Sequence, residues 1–253
     1  MKGNNKKSYV VKLSLGLFVG IVIVIIALII RELGTWSSKF EFKENEIFSL
    51  GDNDGGMGEA ISIGEYMIYA ASIVQASTKD YGSEVWTKTV QDDKGKNISF
   101  EEYMKQEIIN QIRTTHILNW KAEEYDQSLS EDELRGISED AQSYYDTLTQ
   151  YDIGKVGIDL SLILDIYQQN ALAEKVYNAI IADVVLEDGM TEDESKAAKI
   201  HYFDRIYIKM RKDSCKAWSY DAYVNDNALK ELSFANLYSQ TKNSSGEVSS
   251  NSK

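Results

Sequence analysis

Proline is missing from all 253 residues, and cysteine occurs once, as Cys215. Proline inside a helix costs about 3 kcal/mol, so its absence leaves long helices without their strongest breaker. A lone cysteine excludes an intramolecular disulfide, and any domain outside the cell must then be held by its core. Cys215 sits among Arg211, Lys212 and Lys216 and reads as an unpaired cysteine without a chemical role. Histidine is nearly as scarce. His116 and His201 have no serine or cysteine partner in a catalytic pattern, so each reads as structural. Histidine and cysteine clusters with metal-ligand spacing are absent, as are glycine loops that cradle phosphate, and no cofactor, metal or nucleotide is implied.

Basic residues are also in deficit. The chain holds 27 against 40 acidic ones, for a net charge of -13, and four of the 27 (Lys2, Lys6, Lys7 and Lys12) lie in the first thirty residues, where there is no acid. The remainder, with 23 basic and 40 acidic residues, repels phosphate backbones and anionic lipid surfaces. A nucleic-acid function is excluded.

What the chain does have is one long apolar run, Leu13 to Ile30, eighteen residues without a charge and followed by Arg31 and Glu32. At about 1.5 Å per residue it crosses most of a hydrocarbon core about 30 Å thick, so it reads as a single membrane-spanning helix. A cleaved signal peptide would need a small-x-small site, and Ala27-Leu-Ile-Ile-Arg-Glu-Leu-Gly offers none. Four lysines before the span face Arg31, Lys39 and Lys43 after it, which puts the amino terminus in the cytoplasm and the bulk of the chain outside. Gly16 and Gly20, four apart in the span, are candidate contacts for packing against a second such helix, and hence for a homodimer.

The expected organisation is a cytoplasmic tail (1–12), an anchor (13–30), a polar linker (31–45), a helical domain (46–198), a short strand-and-helix region (199–238) and a disordered serine- and asparagine-rich tail (239–253). The fold class is mainly α, an extracytoplasmic helical bundle with a small strand or hairpin. Glu46 to Leu50 reads as a strand running into the turn-forming Gly51 to Gly58. A calcium loop starting at Asp52 would need glutamate twelfth, where Ile63 stands, so the turn reading is preferred.

Ser62-x-x-Glu65, Ser99-x-x-Glu102, Ser130-x-x-Glu133 and Thr191-x-x-Glu194 repeat the capping-box pattern and mark four helix starts. Helices are predicted from Ser62 to about Asp80, Ser99 to about Tyr125, Ser130 to about Leu148, and Asp159, as cap, to about Val185. A short helix over Thr191 to Ala198, a strand over Ile200 to Ile208 and a last helix over Asp221 to Tyr238 complete the reading. The second helix carries an apolar stripe, Ile109, His116 and Trp120, off its main face. Such a stripe either packs on a neighbour or lines a groove. Candidate groove residues are Ile109, His116, Trp120, Tyr144, Tyr145 and Tyr167, because tyrosine offers a large contact area at small entropic cost.

Several stretches together resemble the extracytoplasmic foldases of the SurA and PrsA type in Gram-positive bacteria. They are the amino-terminal anchor, Glu46-Ile-Phe-Ser-Leu-Gly51, Gly64-Glu65-x-Met67-Ile68-Tyr69-Ala70, Tyr81-Gly-Ser-Glu-Val-Trp86, Ser99 to Glu107, Lys121-Ala-Glu-Glu-Tyr125 and Ala171-Leu-Ala-Glu-Lys-Val-Tyr177. The resemblance runs from about Glu46 to Met210 and implies that 46–198 is a chaperone module of the SurA amino-terminal kind, which holds unfolded exported polypeptide. It further implies a parvulin-type peptidyl-prolyl isomerase domain, whose first strand Lys199 to Lys209 resembles. Arg205 stands where active parvulins have histidine, His201 lies four residues earlier, and only 43 residues follow Met210, so that domain is expected to be vestigial. The expected function is that of a membrane-anchored chaperone. The alternatives are a peptidyl-prolyl isomerase with a degenerate parvulin domain, and a structural membrane-assembly subunit with one fixed partner.

Overall fold

The computed structural model describes residues 42–51, 57–92, 95–148, 156–214 and 223–234. The apolar run 13–30 with Gly16 and Gly20, the loop residues 52–56, Cys215 and the tail 239–253 lie outside them. Among the described residues no helix is long and apolar enough to cross a membrane.

The protein is mainly helical, with two small antiparallel sheets. Strand β1 (Glu46–Gly51) pairs with β2 (Met57–Ser62), forming the hairpin expected around the glycine-rich turn. A third strand, β5 (Tyr223–Val224), pairs with the other edge of β1, giving the order β2-β1-β5. Residues 46 to 50 are all buried, so this strand is covered on both faces and its apolar residues do not alternate with exposed ones. The second sheet is the hairpin β3 (Thr89–Gln91) and β4 (Asn97–Ser99).

All four predicted caps form. Helix α1 (Ile63–Tyr81) begins at Ser62, whose hydroxyl accepts from the Glu65 amide, and α2 (Phe100–Trp120) begins in the same way at Ser99 with Glu102. Helix α3 (Glu131–Tyr145) has the reciprocal box of Ser130 and Glu133. Helix α5 (Glu192–Ser214) has Thr191 and Glu194 exchanging bonds of 2.8 and 3.2 Å. Asp159 caps α4 (Leu160–Ala182) as expected. Helix α1 stops at Gly82, whose φ of +80° admits little other than glycine. Beyond α2, a 3-10 turn over Glu123–Tyr125 replaces the last turn that the sequence suggested.

Two expectations about the end of the chain are corrected. Ile200 to Ile208 is not a strand; it lies inside the single helix α5. Phe203, Tyr207 and Met210 recur at helical spacing and are buried against Ile117, Leu118, Val176 and Ile180, so packing overrides the strand preference of the β-branched residues around them. The predicted helix over Asp221 to Tyr238 is represented by β5 and the short α6 (Asp226–Glu231).

Helix α2 is the centre of the molecule. Every residue from Glu107 to Leu118 is buried, so it is enclosed on all sides for more than three turns. Its first half joins β1, α1 and the start of α4 in one apolar core, and its second half joins the end of α4 and α5 in another. A buried helix must satisfy its polar side chains internally. Thr114 donates to the Asn110 carbonyl (2.8 Å) and meets the Tyr207 hydroxyl of α5 (3.1 Å), while Arg113 donates to the Asn110 side chain (2.7 Å).

Candidate functional site

The structure divides the six predicted groove residues into two groups. Ile109 and His116 are 1% and 4% exposed, and the reading of them as groove residues is corrected: both are interior. The stripe off the main face of α2 is packed rather than open, because this helix has neighbours on every side.

The place of His116 has a physical reason. Its Nδ1 lies 3.1 Å from Glu59 Oε2 on β2 and its Nε2 lies 3.2 Å from Glu65 Oε1 on α1. Burial works against the imidazolium, but the hydrogen bonds from Glu59 and Glu65, reinforced by their charges, outweigh it and raise the pKa to about 9. The same hydrogen bond holds the Glu59 carboxyl below its ordinary range, against the effect of burial. His116 is thus a buried cation clamped by two carboxylates. Glu65 stands at the capping-box position of α1, yet its carboxylate bonds to His116.

The remaining four residues are half-buried. Trp120 meets the His116 ring edge-on, with centroids 6.3 Å apart, and packs against both cores at the end of α2. Tyr144 and Tyr145 close α3, and Tyr167 lies on α4 with its ring centroid 6.2 Å from that of Tyr144. At the other end of α3, Lys175 of α4 binds both Glu133 oxygens at 2.9 Å, so the two helices run antiparallel. Between these ties only Ala141 of α3 is fully buried. Helix α3 therefore leans on α4 along a narrow line and leaves tyrosine rings at its edge partly in water. The Tyr167 hydroxyl, pushed up to about 12 by burial and by the nearby Asp140 charge, stays protonated.

Among the described residues no group of three or more His, Cys, Asp or Glu is placed to hold a metal. Arg205 stacks over the Tyr202 ring at 5.2 Å, and His201 is exposed on the same helix. The sequence named Tyr144, Tyr145 and Tyr167 one by one, without the Tyr144–Tyr167 ring contact. The two carboxylates around His116 were not legible there, although a histidine on a helix face otherwise destined for the core signals a need for partners. Compared with protein-family models, curated proteins and solved structures, the chain matches none.

Proposed function

We propose that the chain is a chaperone of the SurA and PrsA type, anchored in the cell membrane by residues 13–30, with its amino terminus in the cytoplasm and its helical domain outside. The domain holds apolar segments of unfolded exported polypeptides. The observation that carries the reading is the half-open ledge of Tyr144, Tyr145 and Tyr167 along the line between α3 and α4. Aromatic rings fixed at one edge and wet at the other suit weak contact with varied apolar segments, each worth about 25 cal/mol per Å² removed from water. The acidic exterior keeps such a protein soluble and off anionic membrane surfaces. Tethering raises its effective concentration near emerging chains. The reading calls for no cofactor and no nucleic acid, and it allows a homodimer through Gly16 and Gly20.

The test is suppression of aggregation of a reduced, unfolded client. Replacing Tyr144, Tyr145 and Tyr167 together by alanine abolishes holding while far-UV circular dichroism stays native. Undiminished holding by that folded variant overturns the reading. The rival with a fixed partner predicts one stoichiometric protein in a pull-down instead of a mixture. The isomerase rival predicts faster proline-limited refolding that depends on His201 or Arg205.

A further inference from the structure

The segment Tyr223–Phe234 is held against the domain in the manner of a bound peptide. It adds two residues to the free edge of β1, with Val224 opposite Phe48 and Tyr223 opposite Ser49. Asn225 extends the pairing, its amide donating to the Ile47 carbonyl (2.9 Å) and its side chain to the Glu46 carbonyl (3.1 Å). Ten residues after Val224, Phe234 is completely buried, edge-on to Trp86 with centroids 5.2 Å apart. Lys105 of α2 sits over the Phe234 ring at 5.6 Å, donates to the Leu232 carbonyl and pairs with Glu101 at 2.8 Å. An edge that takes main-chain hydrogen bonds, followed by a pocket for one aromatic ring, is the general form of recognition by strand addition.

We infer that the edge of β1 and the Trp86–Lys105 pocket form a binding site for an extended polypeptide carrying an aromatic residue, with Tyr223–Phe234 as its resident, displaceable occupant. The inference deepens the chaperone reading by naming a second and more selective site. The attachment is short: two paired strand residues, a six-residue helix, and the side chains of Val224, Ala228, Leu229, Leu232 and Phe234 set against the first core. Helices α2 and α4, by contrast, are joined along both apolar cores. Release of the segment leaves α2, α4 and α5 packed. It frees the main-chain groups of Ile47 and Glu46 and leaves Lys105 with Glu101 and an unfilled aromatic pocket, the features a foreign segment would engage.

The probe is a fluorescein-labelled synthetic peptide of the sequence Tyr223 to Phe234, added to the full chain in detergent and followed by anisotropy. The Phe234→Ala chain binds it at least about tenfold more tightly than the unaltered chain, because the competing internal occupant is weakened. A scrambled peptide does not bind. Equal affinity of the two folded chains, or equal binding of the scrambled peptide, overturns the inference. Should Phe234→Ala fail to fold, hydrogen exchange in the unaltered chain decides. The Asn225 amide exchanges at least about a hundredfold faster than the Ile108–Ile117 amides if the segment opens alone. Matching protection makes it an integral part of the fold and ends the proposal. Peptide binding by Phe234→Ala without any client holding supports this site and removes the chaperone reading; client holding without peptide binding does the reverse.

Discussion

His116 Nε2 lies 3.2 Å from Glu65 Oε1, an ion pair inside the domain that ties the C-terminal part of the central helix to the first turn of α1. Glu59 closes the other side of the ring at 3.1 Å, from a strand rather than a helix. One imidazole ring therefore joins β2, α1 and α2.

Stability should follow the charge of that ring. A pKa raised from 6.5 to about 9 stabilises the fold fully below pH 6.5, and the contribution disappears as the pH rises from 6.5 through about 9. The Glu59 pKa is depressed, so its contribution is present above about 4.5 and disappears as the pH falls through its folded value. Denaturation midpoints measured from pH 4 to 10 should form a plateau between about 4.5 and 6.5, with an alkaline decline of about 2–3 kcal/mol once solvent screening of half-exposed Glu59 is allowed for. A flat profile through pH 9 contradicts the clamp.

Removing one partner tests the clamp from the other direction. His116→Leu leaves Glu65 buried without its cation and should cost about 3–5 kcal/mol at pH 6. Glu59→Ala, at a side chain 41% exposed, should cost about 1 kcal/mol or less. Urea midpoints of the two variants should rank in that order, and the alkaline decline should vanish in His116→Leu.

The contact between α2 and α5 should be measurable at Thr114 and Tyr207. The Thr114 hydrogen goes to the Asn110 carbonyl, so the Tyr207 hydroxyl donates to the Thr114 oxygen. Tyr207→Phe should cost about 1 kcal/mol, and a double-mutant cycle with Thr114→Val should recover most of it as coupling. No coupling would mean that α5 does not dock where the fold places it.

Local signals carried most of the helix starts. Ser62, Ser99, Ser130 and Thr191 act on backbone groups three residues away, so a short window of sequence contains the whole interaction. Ile200 to Ile208 was ambiguous because its apolar and aromatic residues fit a strand alternation as well as the helical spacing of Phe203, Tyr207 and Met210. Burial against α4, about thirty residues earlier, decided between the two. Strand β5 was illegible: two residues form a strand only because β1 offers them an edge. Of the six candidate residues, Tyr144 and Tyr167 are close in space, whereas Ile109 and His116 are inside because α2 has neighbours on all sides, which its own periodicity does not specify.

Glycine at the end of α1 supplies a separate test. Gly82 has φ +80° and ψ 164°, a region nearly closed to side chains, and a Cβ there would lie 2.6 Å from a Glu84 carboxylate oxygen. Gly82→Ala should cost about 1–3 kcal/mol, and adding Glu84→Ala should relieve only the part due to contact. Thermal melts of the single and double variants separate backbone strain from crowding.

The most direct measurement of the central claim is site-specific photo-crosslinking to a radiolabelled, unfolded client. A benzophenone amino acid in place of Tyr145 on the ledge is compared with one in place of exposed Lys196 on α5. Capture of client from position 145, with little from position 196, is the predicted result. Equal labelling from both positions, or none from position 145, would contradict the assignment of a holding surface to the edge between α3 and α4.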